Sequence, residues 1–232
     1  MAMLNNNNGI SIQVGLGGYS FSIWNDGTFV SASGWMTADR IFTTSEFQKR
    51  YDEVEISVFT PKVTLVPANF FIPEQAHQTL LELSDLDDQE HVEYIEVPQL
   101  GAVLIYSNLI GETLSKVISE TVLRTDGTKA RLLPEMYFML SSLSRMTEYN
   151  KILASYMDGV LYLVVAQGKT LLLCNSFQAQ DFTTAQYFIF NAMKKLNLNP
   201  EVSTVVFRTR LSEDEEMSLY RYFKNVEQNQ GR

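Results

Sequence analysis

The residues of this chain that could do chemistry are few and scattered. Asp85, Asp87, Asp88 and Glu90 form an acidic stretch that could chelate a hard cation, but their spacing is not that of an EF-hand loop. The stretch reads as a solvated loop. His77 and His91 are the only histidines, one on an expected helix and one after the acidic stretch, with no second ligand at metal spacing. Each reads as a solvated or packed side chain. Cys174 is the only cysteine and ends the apolar run Leu171-Leu172-Leu173-Cys174, where a thiol is buried and inert rather than nucleophilic. No Gly-x-Ser-x-Gly elbow, P-loop or Cys-x-x-Cys occurs. No metal or cofactor is expected on these grounds.

Composition narrows the partners. Of the 232 residues 45% are hydrophobic and 19% charged, ordinary for a globular protein. The net charge of −9 argues against nucleic acid, whose phosphates are held by clustered Lys and Arg. The acidity reads as moderate and spread out, a matter of solubility. The longest apolar runs, 160–166 and 171–174, have the length of strands and are too short to span a bilayer, so no integral membrane segment is expected. Residues 1–9 are Asn-rich and lack the basic region and apolar core of a secretory signal. Together with the single cysteine, this points to a cytoplasmic setting.

The elements that must position any site follow from periodicity. Residues 10–14 alternate as a half-buried strand, and 19–24 alternate again after Gly15-Leu16-Gly17-Gly18. Asn25-Asp26-Gly27 is a hairpin signal, and 28–35 form the third strand of a meander. Thr43 is expected to cap a short helix with Glu46 completing a capping box. The plan returns later: strands at 151–157, 160–166 and 170–176 with turns at Asp158-Gly159 and Gly168, then a helix capped by Thr183 with Gln186 in the box position. A strand at 204–207 and a helix opened by Ser212 with Glu215 follow. Between the copies lie strands at 54–59, 63–66, 92–97 and 103–106, and helices at 73–83 and 109–122. Pro134 opens one more helix, and Thr125-Asp126-Gly127 is the candidate boundary.

The two copies share more than a plan. Phe42-Thr43-Thr44-Ser45-Glu46-Phe47 returns as Phe182-Thr183-Thr184-Ala185-Gln186-Tyr187, and Gly18 and Gly27 return as Gly159 and Gly168 in nearly the same register. An internal duplication is the expectation, with halves at 1–126 and 127–232.

A strand meander followed by helix, strand and helix, present twice, resembles the actin-like ATPase fold of two ribonuclease H-like halves. The chain is also similar to an uncharacterised Bacteroidetes family, a domain of unknown function assigned that fold. The residues that carry this are Leu172-Leu173-Cys174-Asn175-Ser176-Phe177, Asp181-Phe182, Leu196-Asn197-Leu198-Asn199-Pro200 and Tyr220-Arg221-Tyr222-Phe223-Lys224-Asn225-Val226. Thr64-Leu65-Val66-Pro67, Phe70-Phe71 and 102–107 add to it.

The resemblance implies where ATP and Mg²⁺ would sit: on backbone amides of one Gly-containing hairpin per half, with carboxylates to organise the metal. Gly17, Gly18, Asp158 and Gly159 are the residues that could serve a divergent ATPase. The requirements are poorly met. Gly15 stands where an Asp-x-Gly hairpin would begin, its counterpart is Tyr156, and Ser20 is the nearest hydroxyl. Asp158 reads as a turn residue. The glycine pair expected before the last helix is replaced by Phe207-Arg208-Thr209-Arg210, so a cleft filled near Arg208 and Arg210 is expected. Glu213, Asp214, Glu215 and Glu216 suit the dipole of their own helix and would repel phosphates. The sequence therefore favours a non-catalytic actin-like scaffold or protein-binding module, using a cleft or an exposed strand edge, over a divergent nucleotide-binding ATPase.

Overall fold

Apolar alternation at the start of the chain builds the first sheet in the computed structural model, which describes residues 7–15, 17–87, 90–108 and 112–228. In chain order the meander is β1 (Asn8–Val14), β2 (Gly18–Asn25) and β3 (Thr28–Ala32), with the two-residue β4 (Met36–Thr37) after it. Two 3₁₀ helices, Ala38–Thr43 and Ser45–Gln48, lead to β5 (Glu53–Val58). An inserted module holds β6 (Val63–Pro67), α1 (Ala76–Leu81), β7 (Val92–Val97) and β8 (Ala102–Ser107). Then come α2 (Glu112–Thr121), β9 (Leu132–Pro134) and α3 (Glu135–Ser142). The second meander is β10 (Asn150–Met157), β11 (Val160–Gln167) and β12 (Thr170–Gln178). It is followed by α4 (Phe182–Lys195), β13 (Thr204–Phe207), α5 (Glu213–Tyr220) and β14 (Asn225–Gln228).

The chain divides into two units by internal contacts: one within Met1–Phe59 and Ile110–Glu135, the other within Thr60–Leu109 and Met136–Asn229. The first unit's sheet runs β3-β2-β1-β5-β9, with β4 on β2. The second unit's main sheet runs β12-β11-β10-β13-β14. In each, three antiparallel strands are followed by two parallel ones, the fourth pairing with the first and the fifth with the fourth. The shared strand order is consistent with an internal duplication. The turn at Thr125-Asp126-Gly127, where the sequence suggests a boundary, lies inside the first unit, whose sheet continues into β9. The inserted module belongs to the second unit as an antiparallel sheet, β6-β8-β7.

Inward-facing alternate residues make each core. Ile10, Ile12, Val14, Tyr19, Phe21 and Ile56 build the first with Phe47 and Ile118. Ile152, Ala154, Leu161, Leu163, Val165, Val205 and Phe207 build the second with Ile189 of α4 and Leu219 of α5. Burial at these positions supplies the main stabilisation of both sheets.

The doubled passage does different work in its two copies. No side chain caps the 3₁₀ helix at Ser45–Gln48. Thr43 Oγ1 donates to the Arg40 carbonyl instead, and Thr44 Oγ1 shares a 2.9 Å hydrogen bond with the buried Tyr19 hydroxyl. In the second copy the cap is Asp181, which accepts the Thr184 N–H at 2.7 Å, while Gln186 donates to Ser218 Oγ on α5. Phe42 is 73% exposed where Phe182 rests on Phe207 and Tyr156, and Phe47 is 1% exposed where Tyr187 is 64% exposed. A 3₁₀ turn and an α-helix advance their side chains at different angles, so equal spacing does not give equal faces. The expected capping boxes at Thr43 and Thr183 are therefore absent. The box at Ser212 and Glu215 is present in both directions.

Candidate functional site

Gly17 and Gly18 lie in the β1–β2 hairpin of the first unit. There Val14 faces Tyr19, and the Gly15 N–H donates to the Gly18 carbonyl at 3.0 Å, so that amide is used inside the turn. Gly18 is buried and pairs with Thr37 of β4. A Cβ on Gly18 would stand 2.1 Å from the Met36 carbonyl oxygen. The close approach of β4 thus explains this glycine. Gly17 is exposed with open space around it.

Asp158 and Gly159 form the β10–β11 turn of the second unit. Their φ values of 53° and 75° are those of a type I′ turn, matching Asp26 and Gly27 at 48° and 72°. Gly18 and Gly159 therefore occupy the same hairpin of their units for different reasons. The Gly159 carbonyl accepts the Ala179 N–H at 2.8 Å, and the Ala179 carbonyl accepts the Tyr156 hydroxyl at 3.1 Å.

Tyr156 is the centre of this arrangement. Its ring meets Phe182 edge-on, with centroids 5.6 Å apart, and its backbone N–H donates to Thr209 Oγ1 at 2.9 Å. Burial raises the Tyr156 phenol above its ordinary pKa, and the carboxylates of Asp181 and Glu215 raise it further. Asp181 is the N-cap of α4 and Glu215 the N3 residue of the α5 capping box, so both helix starts here carry negative charge and use it on their own backbone amides. The Thr184 amide's hydrogen bond holds the Asp181 carboxyl below the usual carboxylate range.

The segment after β13 is equally engaged. Arg208 is 2% exposed, its N–H donates to the Ala154 carbonyl at 3.0 Å, and its guanidinium lies 5.4 Å from the centre of the Phe138 ring on α3. Thr209 is buried and Arg210 exposed. Tyr156, Ala179, Arg208 and Thr209 are thus brought together within the second unit, a grouping spread across 53 residues of sequence.

The acidic stretch is not wholly solvated. Glu90 is buried, forms an ion pair with Lys62, and accepts the Ser107 hydroxyl at 2.6 Å and the Asp87 N–H at 3.3 Å. Burial pushes its pKa up, but the hydrogen bonds from Lys62, Ser107 and Asp87 outweigh that and hold it below the ordinary glutamate range. Asp85 and Asp87 are exposed, and Asp88 lies outside the described residues. His77 and His91 are exposed, and no group of metal-ligating side chains occurs among the described residues. Cys174 is half-buried, and burial pushes its thiol up to about 12. A pocket of about 350 Å³ in the second unit has Leu100, Leu143, Ala166 and Leu171 in its wall together with Lys169 and with Lys151, whose ammonium donates to the Leu143 carbonyl at 2.7 Å. No helix among the described residues is long and apolar enough to cross a membrane.

A solved structure of a Bacteroides thetaiotaomicron protein, described as having an actin-like ATPase fold and unknown function, is similar to this chain. It is 20% identical, with a TM-score of 0.65 over 98% of this chain and 94% of that one. The protein has this mixed α/β, actin-like ATPase fold. A PilM–PilN type IV pilus biogenesis complex aligns at 11% identity and TM-score 0.47, over 95% of this chain and 87% of that chain. The ethanolamine utilization protein EutJ from Carboxydothermus hydrogenoformans aligns at 8% identity and TM-score 0.41, over 98% and 86%. No curated protein sequence matches. A family model described as "Protein of unknown function (DUF3822)" matches residues 4–226, nearly the whole length, and the chain belongs to that family.

Proposed function

We propose that this protein is a non-catalytic actin-like scaffold or protein-binding module whose nucleotide machinery has been replaced by structural contacts. The observation that carries the reading is the Tyr156–Thr209 link, with Asp181 and Glu215 close enough to raise the tyrosine's pKa. A nucleotide there would need free amides, glycine-sized clearance and positive charge. It would meet a packed ring, a side chain bonded to the backbone, and two carboxylates. The first hairpin lends support, because its Gly15 amide is used internally and β4 crowds Gly18.

A binding role finds support in β3, an edge strand without charge whose Phe29 and Val30 are 54% and 57% exposed. Such an edge can accept an extended segment by strand addition. The net charge of −9 favours protein over nucleic acid as partner, and the single cysteine suits a cytoplasmic setting. We read the two units as ribonuclease H-like halves descended from one duplicated unit.

A divergent ATPase is the competing reading, favoured by one feature: the turn of Asp158 and Gly159 keeps an exposed acidic residue beside a glycine. Phosphate release from Mg·ATP separates the two. The scaffold reading expects release no faster than in buffer, and turnover lost in Asp158→Ala would overturn it.

A further inference from the structure

The negative charge is not spread evenly, as composition alone suggests. Between Lys62 and Lys116 there is no Lys or Arg, while eight acidic residues fall within 63–108, the span of the inserted module. The flanking Lys62 is already paired with the buried Glu90. Every unpaired charge that the module presents is therefore an acid, among them Glu74, Glu82, Asp85 and Glu96, all exposed.

The same module leaves large apolar side chains in water. Ala76 and Leu80 of α1 pack on Ile105 of β8, with Val66, Phe71 and Val92 around them. That small core covers only part of what the segment offers. Phe70 is 79% exposed, Leu83 66%, Ile72 47% and Tyr94 45%. The Phe71 and Tyr94 rings lie 4.8 Å apart, which joins the Phe70–Ile72 segment to β7. Exposed aromatic and aliphatic groups concentrated in one small module mark an interaction surface.

We propose that this module docks a basic amphipathic segment of a partner protein, its apolar side chains on the exposed Phe70, Ile72, Leu83 and Tyr94 and its Lys or Arg residues against the module's exposed acids. Charge decides the occupant. A second copy of the chain would set two all-acidic modules against each other, and an anionic lipid surface would be repelled in the same way. A segment with alternate apolar and cationic faces satisfies both features at once. The inference rests on reading the protein as a binding module.

The test uses the full chain and a fluorescein-labelled amphipathic Lys/Leu peptide of about 18 residues, roughly five helical turns. Its binding is followed by anisotropy, with the Glu/Leu counterpart as comparison. The Lys/Leu peptide is expected to bind and the Glu/Leu peptide not. Phe70→Ser with Leu83→Ser should weaken binding about tenfold or more. Glu74→Gln with Glu82→Gln and Glu96→Gln should weaken it comparably and flatten its salt dependence. Glu213→Gln with Asp214→Asn, which removes charge on α5 instead, should leave it unchanged. All these positions are exposed, so unfolding of one variant leaves the others to decide. Failure of the Lys/Leu peptide to bind, or equal losses from the α5 and module variants, would overturn the inference. Phosphate release on the same preparation reports separately on the non-catalytic reading.

Discussion

Thr209 holds Tyr156 in place: its hydroxyl accepts the Tyr156 backbone N–H at 2.9 Å, tying the end of β10 to the segment that follows β13. β10 and β13 pair in parallel through Ile152–Ala154 and Val205–Phe207. Two residues beyond that ladder, a side chain replaces the backbone partner the strand would otherwise need. The amide at this strand end is thereby committed to the fold.

Thr209→Val removes the acceptor while keeping the shape. It should destabilise the protein by about 1–2 kcal/mol, the cost of a part-buried amide left without its partner. Thr209→Ser should restore most of it. Urea denaturation measures both, and a neutral valine would show that water or another group takes over the amide.

Gly17 and Gly18 should respond oppositely to alanine. Gly18→Ala drives a methyl group into the Met36 carbonyl, 2.1 Å away, so β4 must shift, at about 1–3 kcal/mol. Gly17→Ala meets nothing within 4 Å and should be neutral or stabilise by up to about 1 kcal/mol. Thermal midpoints of the two variants check the contrast.

Lys62→Met strands the Glu90 carboxylate in a buried site. At neutral pH the loss should be roughly 2–3 kcal/mol, less than for a fully buried pair because Lys62 keeps part of its side chain in water. The folded pKa of Glu90 is depressed, so its stabilisation is present above the ordinary glutamate range and lost as pH falls through the lowered value. The gap between wild type and variant should therefore narrow in acid. Denaturation curves at neutral and acid pH read it out, and a gap that widens in acid would refute the assignment.

Cys174 should be slow toward thiol reagents. With its pKa pushed to about 12, roughly one thiol in ten thousand is ionised at pH 8. Modification by a disulfide reagent should be at least about a hundredfold slower in the folded protein than in urea. Equal rates would mean that the thiol is not shielded.

Local chemistry was legible in the sequence and distant chemistry was not. The Ser212–Glu215 box and the Asp26-Gly27 and Asp158-Gly159 turns involve residues at most three apart, and each is built as its residue types dictate. The echo around Thr43 and Thr183 misled because a 3₁₀ segment and an α-helix turn the same residues to different faces. β9 and β14 have three and four residues, too few to show an alternation. Glu90 read as solvated because its partner, Lys62, is 28 positions away. At the candidate site the bulk of Phe207-Arg208-Thr209-Arg210 was legible. That Thr209 reaches back to Tyr156 and that Arg208 lies over Phe138 depend on how β10, β13 and α3 come together, which no local pattern encodes.

The glycine hairpins serve either the fold or a phosphate. A thermal-shift titration with Mg·ATP addresses this directly, since ligand at a hundred times its dissociation constant adds about 2.7 kcal/mol of stability. If they serve the fold, the midpoint stays unchanged up to millimolar nucleotide. A saturable rise in midpoint that disappears in Gly17→Ala or Asp158→Ala would contradict it.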